Sequence, residues 1–448
     1  MIRAARHIAA AFCVAPFRAC SPVLGQAGAV LLTALLACAA VAEEHPGYSL
    51  TLEQLIATAQ HDNKDLRAAR YAVAIARARL LQAGALPNPR ITVGMNNDVA
   101  FNNEGAYSAS VGISQDFPVA GRIFRQKKVA QADVELAQAE IMEGERRLAG
   151  QVAANVYRVL VLDQQLQSRE SLQAVDEHLV AVTRSRFQAA EVSELDVNTV
   201  ALDLQRLNQE GVLLLTQRKV LLQSLNQELG RPAAATLTVA EPVPGLGTLV
   251  PVDSAVARAL AQRPDLRMAK LRVDRAEADL ALAKAQRWED WSLGLGVQQD
   301  RLAIVGAPPQ GADRSLNLSV TIPLPLKRSS RGQVAAAEAS AAQAAAQADA
   351  VALDIGSEIA AAHAELEGLQ SLLKTYDTDL LPVSERNVSL AEKGYEQGLV
   401  PLLEVVQAQR QHGELKAAAL TTLDQYLQAL ARLRTATVDY PLLADSPP

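Results

Sequence analysis

From Pro118 to Pro232 the chain contains no proline, and between Gly150 and Gly211 it contains no glycine. These are the two residues that most readily interrupt a helix, and what lies between is Ala, Gln, Glu, Leu and Val at helical spacing. A helix over residues 123–190 would be roughly 100 Å long at about 1.5 Å per residue, far more than a globular domain needs. A second stretch of the same kind starts at Gly332 and runs towards Thr378 and Pro382. In both halves a pair of short alternating segments immediately precedes the long helix, so the pattern implies a helical tube joined to a β-structure.

Only 4% of the 448 residues are aromatic, too few for a conventional enzyme core. An alanine-rich pattern with a helical period is instead what long packed helices use, because small side chains let helix axes approach. The first 42 residues carry Arg3, Arg6 and Arg18 with no acid before Glu43, then an apolar run from Ala27 ending Ala40-Val41-Ala42. This is the form of a secretory leader, 1–42, with cleavage before Glu43; Leu35-Leu36-Ala37-Cys38 also resembles a lipoprotein box with Cys38 as the acylated residue. Cys13, Cys20 and Cys38 are the only cysteines and all lie in that leader, which excludes disulfides and thiol chemistry downstream. Losing the leader removes three of 43 basic residues and none of 49 acids, leaving 40 against 49, so nucleic acid is not expected as a partner. No apolar run of spanning length follows, and a chain of this kind can enter a membrane only as a barrel.

The chain is internally duplicated. Asp65-Leu66-Arg67-Ala68-Ala69 matches Asp265-Leu266-Arg267-Met268-Ala269, Phe117-Pro118 matches Ile322-Pro323, Val129-Ala130 matches Val334-Ala335, and Phe187-x-x-Ala190 matches Tyr395-x-x-Gly398. The order is kept and the register drifts by only a few residues. The first repeat, 43–229, is expected to comprise a helix over 51–85, strands over 91–101 and 107–117, and long helices over 123–190 and 194–229. The second, 253–440, would comprise a helix over 253–287, strands over 291–299 and 314–322, and helices over 332–393 and 401–437. Residues 230–252, with Pro232, Pro242, Pro244 and Pro251, form a linker with one short strand over 236–240, and 441–448 form a tail.

In the strands, Ile91, Val93 and Met95 alternate with Thr92, Gly94 and Asn96, and Val111, Ile113 and Phe117 with Ser110, Gly112 and Ser114. Leu293, Leu295 and Val297, and then Leu316, Leu318 and Val320, repeat the alternation. Strands of about 9 to 11 residues suit a tilted membrane crossing, and Trp288 and Trp291 suit an aromatic girdle. Four strands do not close a barrel, and an open edge in lipid leaves unpaired backbone groups at several kcal/mol each. Eight strands from two chains would nearly fill with side chains, whereas about twelve from three leave a wet lumen. The Ser, Thr, Asn and Gly faces favour the homotrimer.

No phosphate loop, nucleophile elbow or zinc-hydrolase motif is present, and His45, His61, His178, His363 and His412 show no paired spacing, so neither a cofactor nor a metal centre is expected.

The ordered motifs Leu52-Glu53, Asn63-x-Asp65-Leu66, Ala85-Leu86-Pro87-Asn88-Pro89, Ala190-Glu191-Val192-Ser193, Ile322-Pro323-Leu324-Pro325-Leu326 and Tyr395-x-x-Gly398 followed by Leu402-Leu403-Glu404-Val405 make the chain recognisable. It resembles the TolC-type outer membrane efflux proteins, in particular their heavy-metal branch of CzcC-like and CusC-like channels. The resemblance implies a mainly α fold with a small β part, in which a homotrimer builds a twelve-stranded barrel in the outer membrane of a Gram-negative bacterium and a helical barrel across the periplasm. It also implies a periplasmic membrane-fusion adaptor and an inner-membrane resistance-nodulation-division pump as partners, outer membrane lipid as surroundings, and heavy-metal cations as cargo, with drugs or other small molecules as the alternative. An exported coiled-coil spacer or adaptor is the competing class. By the same resemblance, Phe187, Ala190, Glu191, Val192 and Ser193 form one adaptor-contacting tip, and Tyr395, Gly398, Leu399, Val400 and Pro401 the other. Asp196 would help latch neighbouring helices. Glu404 would form a carboxylate ring at the constriction, with Gln407 where relatives have a second acid. Ala190 stands where the family often has glycine, so a differently shaped first tip is expected.

Overall fold

A computed structural model describes residues 49–100, 105–304, 306–308, 311–324 and 330–442. The leader, with Cys38, lies outside these residues.

The first repeat begins with a two-residue strand, β1 (Ser49–Leu50), and two short helices, α1 (Leu52–Asp62) and α2 (Lys64–Ala83). Thr51 and Gln54 cap α1 reciprocally, Gln54 Oε1 accepting from the Thr51 N–H at 3.1 Å. The single helix expected over 51–85 is broken at Asn63, whose ψ of 127° takes it out of the helix. Its side chain explains the break: Oδ1 accepts from the Asp65 and Leu66 N–H groups at 3.0 and 2.9 Å, starting α2 afresh. The helix expected over 253–287 breaks at the matching place into α5 (Val252–Gln262) and α6 (Pro264–Ala285). There the cause is Pro264, which disfavours helical geometry at Arg263 and fits the first position of a new helix.

Between α2 and the long helix α3 (Arg122–Gln188, 67 residues) lies the hairpin β2 (Arg90–Asn97) and β3 (Tyr107–Phe117). The expected extension of β2 to 101 is cut short at Asn97, and residues 101–104 lie outside the described set. α4 (Glu194–Glu228) returns, and the mid-chain segment contributes β4 (Thr238–Val239), which pairs in parallel with β1. The second hairpin is β5 (Trp291–Arg301) and β6 (Asp313–Thr321).

α7 (Ser330–Thr375) passes through a single π-helical turn, Tyr376–Leu380, into α8 (Leu381–Glu396), and α9 (Leu402–Ala436) closes the repeat. The π turn lets the helix run past Pro382, which has no N–H to donate and whose ring would crowd a regular α-turn. The three segments of 46, 5 and 16 residues cover the same 67 as α3, and α4 and α9 have 35 residues each.

The main core sits where α1, the middle of α3, the end of α4 and the end of α9 meet. Leu55, Ile56, Val152, Tyr157, Leu225 and Leu427 are fully buried there, joined by Leu237 beside β4. Each such aliphatic side chain contributes about 2 kcal/mol by leaving water. Ala149 and Ala153, also fully buried, keep the axes close.

The four longer strands form one antiparallel sheet in the order β2-β3-β5-β6. The register sets Val93, Val111, Val297 and Leu316 in one row and Thr92, Gly112, Gly296 and Asn317 in the next. The apolar rows are open to the surroundings: Ile91, Val93, Leu316 and Leu318 are each at least 67% exposed. β2 and β6 each have one neighbour among the described residues, so the sheet has two free edges. No described helix is long and apolar enough to cross a membrane, which says nothing of a β-barrel.

Candidate functional site

The sheet and the helix turns lie at opposite ends of α3, and the turns hold the residues expected to form the tips. α3 ends in a turn with Ala190 at φ 61°, and α8 ends in a turn with Gly398 at φ 72°. In the first, the Ala190 and Glu191 N–H groups donate to Phe187 and Arg186 carbonyls, both at 2.9 Å. In the second, Gly398 and Leu399 donate to Tyr395 and Gly394 at 3.0 and 2.8 Å. Both are the same left-handed helix stop. The expectation of a differently shaped first tip is therefore corrected: Ala190 adopts the glycine conformation, at a cost of about 1 kcal/mol, because two hydrogen bonds and the following cap define the turn.

That cap accounts for Ser193 and Asp196. Asp196 Oδ2 accepts from the Ser193 N–H at 2.9 Å and its hydroxyl at 2.7 Å, and Ser193 Oγ accepts from the Asp196 N–H at 3.3 Å. Asp196 is thus engaged at the start of its own helix. Val192 is half-buried between the turn and the cap.

The two tips touch through a residue that sequence reasoning missed. Arg186 pairs with Glu191 at 3.0 Å and lays its guanidinium over the Tyr395 ring, 4.7 Å from the centroid. Tyr395 is buried with Leu179, Val200, Leu402, Val405 and Val406, a small apolar cluster shared by α3, α4, α8 and α9. Phe187, Gly398, Leu399 and Pro401 are exposed and Val400 is half-buried, so the tip ends present an apolar surface to whatever lies beyond.

Glu404 and Gln407 occupy the first turns of α9 and are both exposed, on the face opposite Leu402, Val405 and Val406. Gln411 and Glu414 continue the exposed stripe.

Deeper along the bundle, a cavity of about 240 Å³ is lined by α3, α4 and α9. Arg169, Asp176 and Thr183 recur every seven residues on α3, and Asp196, Asp203 and Glu210 do so on the antiparallel α4. That spacing sets Arg169 opposite Glu210, where they pair at 2.7 Å, and Asp176 opposite Asp203. The acid-on-acid layer is balanced by Arg410 of α9, which holds both Asp203 oxygens at 2.8 and 3.0 Å. Burial, and then the Asp203 charge, push the Asp176 carboxyl up to about 6. The seven-residue recurrence was the available signal for this layer; only the fold shows that the two series face one another.

Among the described residues no group of three His, Cys, Asp or Glu side chains could hold a metal ion. His363 is buried against the Val250 carbonyl at 3.1 Å, and His412 lies 2.9 Å from the Ser384 hydroxyl.

This architecture, an apolar-faced sheet with open edges carried on duplicated tube-length helices, defines an outer membrane channel subunit. The sequence matches the outer membrane efflux protein family over residues 55–231 and again over 255–437, one match per repeat, and the chain belongs to that family. It is 22% identical over 388 residues to the cobalt-zinc-cadmium resistance protein CzcC of Cupriavidus metallidurans, covering 85% of this chain and 88% of that one. The fold matches that of CusC with a TM-score of 0.72 at 18% identity, over 87% of this chain and 92% of the other. It matches the Campylobacter jejuni CmeC outer membrane channel with a TM-score of 0.71 at 11% identity, over 88% and 87%. The chain is a transport duct of the outer membrane extending into the periplasm, not an enzyme.

Proposed function

We propose that three copies of this chain form the passive exit duct of a tripartite efflux system for heavy-metal cations. The observation that carries the reading is the four-stranded sheet: its apolar rows are exposed and neither edge has a partner among the described residues. In lipid each unpaired backbone group would cost several kcal/mol, and pairing the β6 of one copy with the β2 of the next removes that cost. Twelve strands result, and the row of Thr92, Gly112, Gly296 and Asn317 then faces a wet lumen. An exported coiled-coil spacer would have no use for the exposed apolar rows.

Metal cargo is supported by the likeness to CzcC, named for cobalt, zinc and cadmium resistance. The energy comes from an inner-membrane resistance-nodulation-division pump, and an adaptor reaches the duct at its tips, where Leu399, Phe187 and Pro401 offer an apolar edge. Three Glu404 carboxylates around the axis, with Gln407 one turn on, lower the energy of a passing cation and repel anions. The leader 1–42 exports the chain. Removing the chain from its host is expected to lower tolerance to divalent metals, and adding it back to restore it. The purified protein is expected to run as a heat-resistant trimer and to conduct in planar bilayers. A monomer without conductance would sink the duct, whereas unchanged metal tolerance with intact conductance would sink only the cargo.

A further inference from the structure

Where the helices meet the sheet, a groove of about 510 Å³ lies between the end of α2 and the start of α3, lined by Leu80, Leu81, Gly84, Phe124, Lys127 and Lys128. Leu81 is 81% exposed and Phe124 64% exposed, so two large apolar side chains stand open beside two cations. We propose that this groove binds an anionic glycerophospholipid of the helix-side leaflet of the membrane, with acyl chain on Leu81 and Phe124 and headgroup phosphate on Lys127 and Lys128. The inference rests on the reading that the sheet lies in lipid.

Position is the first support. Phe124 is the third residue of α3 and lies seven residues beyond the hairpin strand end at Phe117, whose register partner is Trp291. Trp288, exposed, lies at the same end of the sheet, so this level carries the aromatic residues that mark a membrane boundary. Leu86, in the segment between α2 and β2, is exposed as well.

Charge is the second. No carboxylate among the described residues lines the groove, and the nearest acids along α3 are both engaged: Asp133 pairs with Arg275 at 2.5 Å and Glu135 accepts from Gln131 at 3.3 Å. Three other cations near this level are engaged: Arg122 with Asp290 at 2.8 Å, Arg90 with Asp116 at 2.6 Å, and Arg125 with the Ala281 carbonyl at 3.2 Å. Lys128 lies over the Phe124 ring at 5.2 Å from its centroid, which places a cation just below an apolar face, and Lys127 folds over Gly84. One turn of helix, about 5 Å, separates ring from ammonium, the depth difference between an acyl chain and its phosphate.

The experiment uses the full-length trimer in vesicles containing dibrominated phosphatidylglycerol or dibrominated phosphatidylcholine, with Trp288→Phe and Trp291→Phe removing the native fluorescence. A Phe124→Trp reporter is expected to associate at least about threefold more strongly with the brominated phosphatidylglycerol. In Lys127→Gln/Lys128→Gln that preference should fall to about one, and free inorganic phosphate should not restore the fluorescence. Equal quenching by the two lipids, a preference that survives loss of both lysines, or reversal by inorganic phosphate overturns the proposal. A Val111→Trp reporter on the strand face separates the two readings. Quenching at 111 without quenching at 124 means that another copy covers the groove, which rejects the lipid site alone; no quenching at 111 rejects the membrane position of the sheet itself.

Discussion

Replacing Arg186 by alanine isolates the link between the two tips. Its guanidinium makes one contact within its own turn, to Glu191 at 3.0 Å, and one across to Tyr395, 4.7 Å from the ring centroid. The ion pair is half-open to solvent, with Glu191 55% exposed, and contributes at most about 1 kcal/mol. The ring contact has one face against a buried Tyr395, which puts it at about 1 to 2 kcal/mol. On the proposed duct reading, in which the α3–α4 pair and the α8–α9 pair part to widen the passage, the ring contact is broken on opening, whereas the Glu191 pair moves with its own turn and is kept. Only the first therefore biases the gate. Losing about 1 to 2 kcal/mol shifts a closed-to-open ratio by roughly 5- to 30-fold. Single-channel recordings of the reconstituted trimer measure that ratio as open probability. Arg186→Lys, whose ammonium cannot stack as a plane, should fall between wild type and alanine. Glu191→Gln should change open probability by less than about threefold. An Arg186→Ala channel with wild-type open probability, or a Glu191→Gln effect as large as that of Arg186→Ala, would refute the assignment of the bias to the ring contact.

Three further outcomes follow from the same region. Asp176 titrates near pH 6 in the fold against about 4 when unfolded. The native state therefore holds its proton longer, stability is greatest below about pH 4, falls as pH rises to about 6, and is level above; the total is at most about 3 kcal/mol, and Asp176→Asn should flatten it in hydrogen-exchange measurements on α3 and α4. Ala190→Gly should stabilise the first tip by about 0.5 to 1 kcal/mol by relieving its left-handed backbone, and Gly398→Ala should destabilise the second by about 1, both read from thermal disassembly of the trimer. Glu404→Gln should leave assembly unchanged and lower the cation-to-anion permeability ratio severalfold in salt-gradient reversal potentials; an unchanged ratio makes Glu404 a bystander.

Periodicity made the elements readable and left their joints obscure. The strands were legible because an apolar residue at every second position is a two-sided surface whatever the neighbouring strand, and the alternation from Ile91 through Val320 maps directly onto the exposed rows. The break at Asn63 was not, because leucine and alanine spacing runs through it unaltered. What ends α1 there is a side-chain hydrogen bond to the chain's own backbone, together with a bond from Asn63 Nδ2 to the Glu228 carbonyl, 165 residues away. Pro382 lies inside the helix expected over 332–393 and does not end it, since a proline that stops an isolated helix is absorbed here by one wider turn.

The site divides along the same line. The turns at Ala190 and Gly398 were marked by their aromatic-x-x-small motifs, since a left-handed helix stop is a local event. Arg186 over Tyr395 and Arg410 on Asp203 join residues about 208 apart, which is the repeat length itself. Duplication therefore does more than double the number of strands. It places corresponding turns of the two halves side by side, so that a cation on one copy of the motif meets the aromatic of the other. In α3 and α4 the seven-residue recurrence brings Asp176 against Asp203, an arrangement unfavourable on its own, and α9 of the second repeat supplies the Arg410 that neutralises it. A half-chain carrying the first repeat alone would retain the repulsion and lose its counter-charge, so any movement that takes α9 away from α4 unmasks that repulsion and is opposed by it.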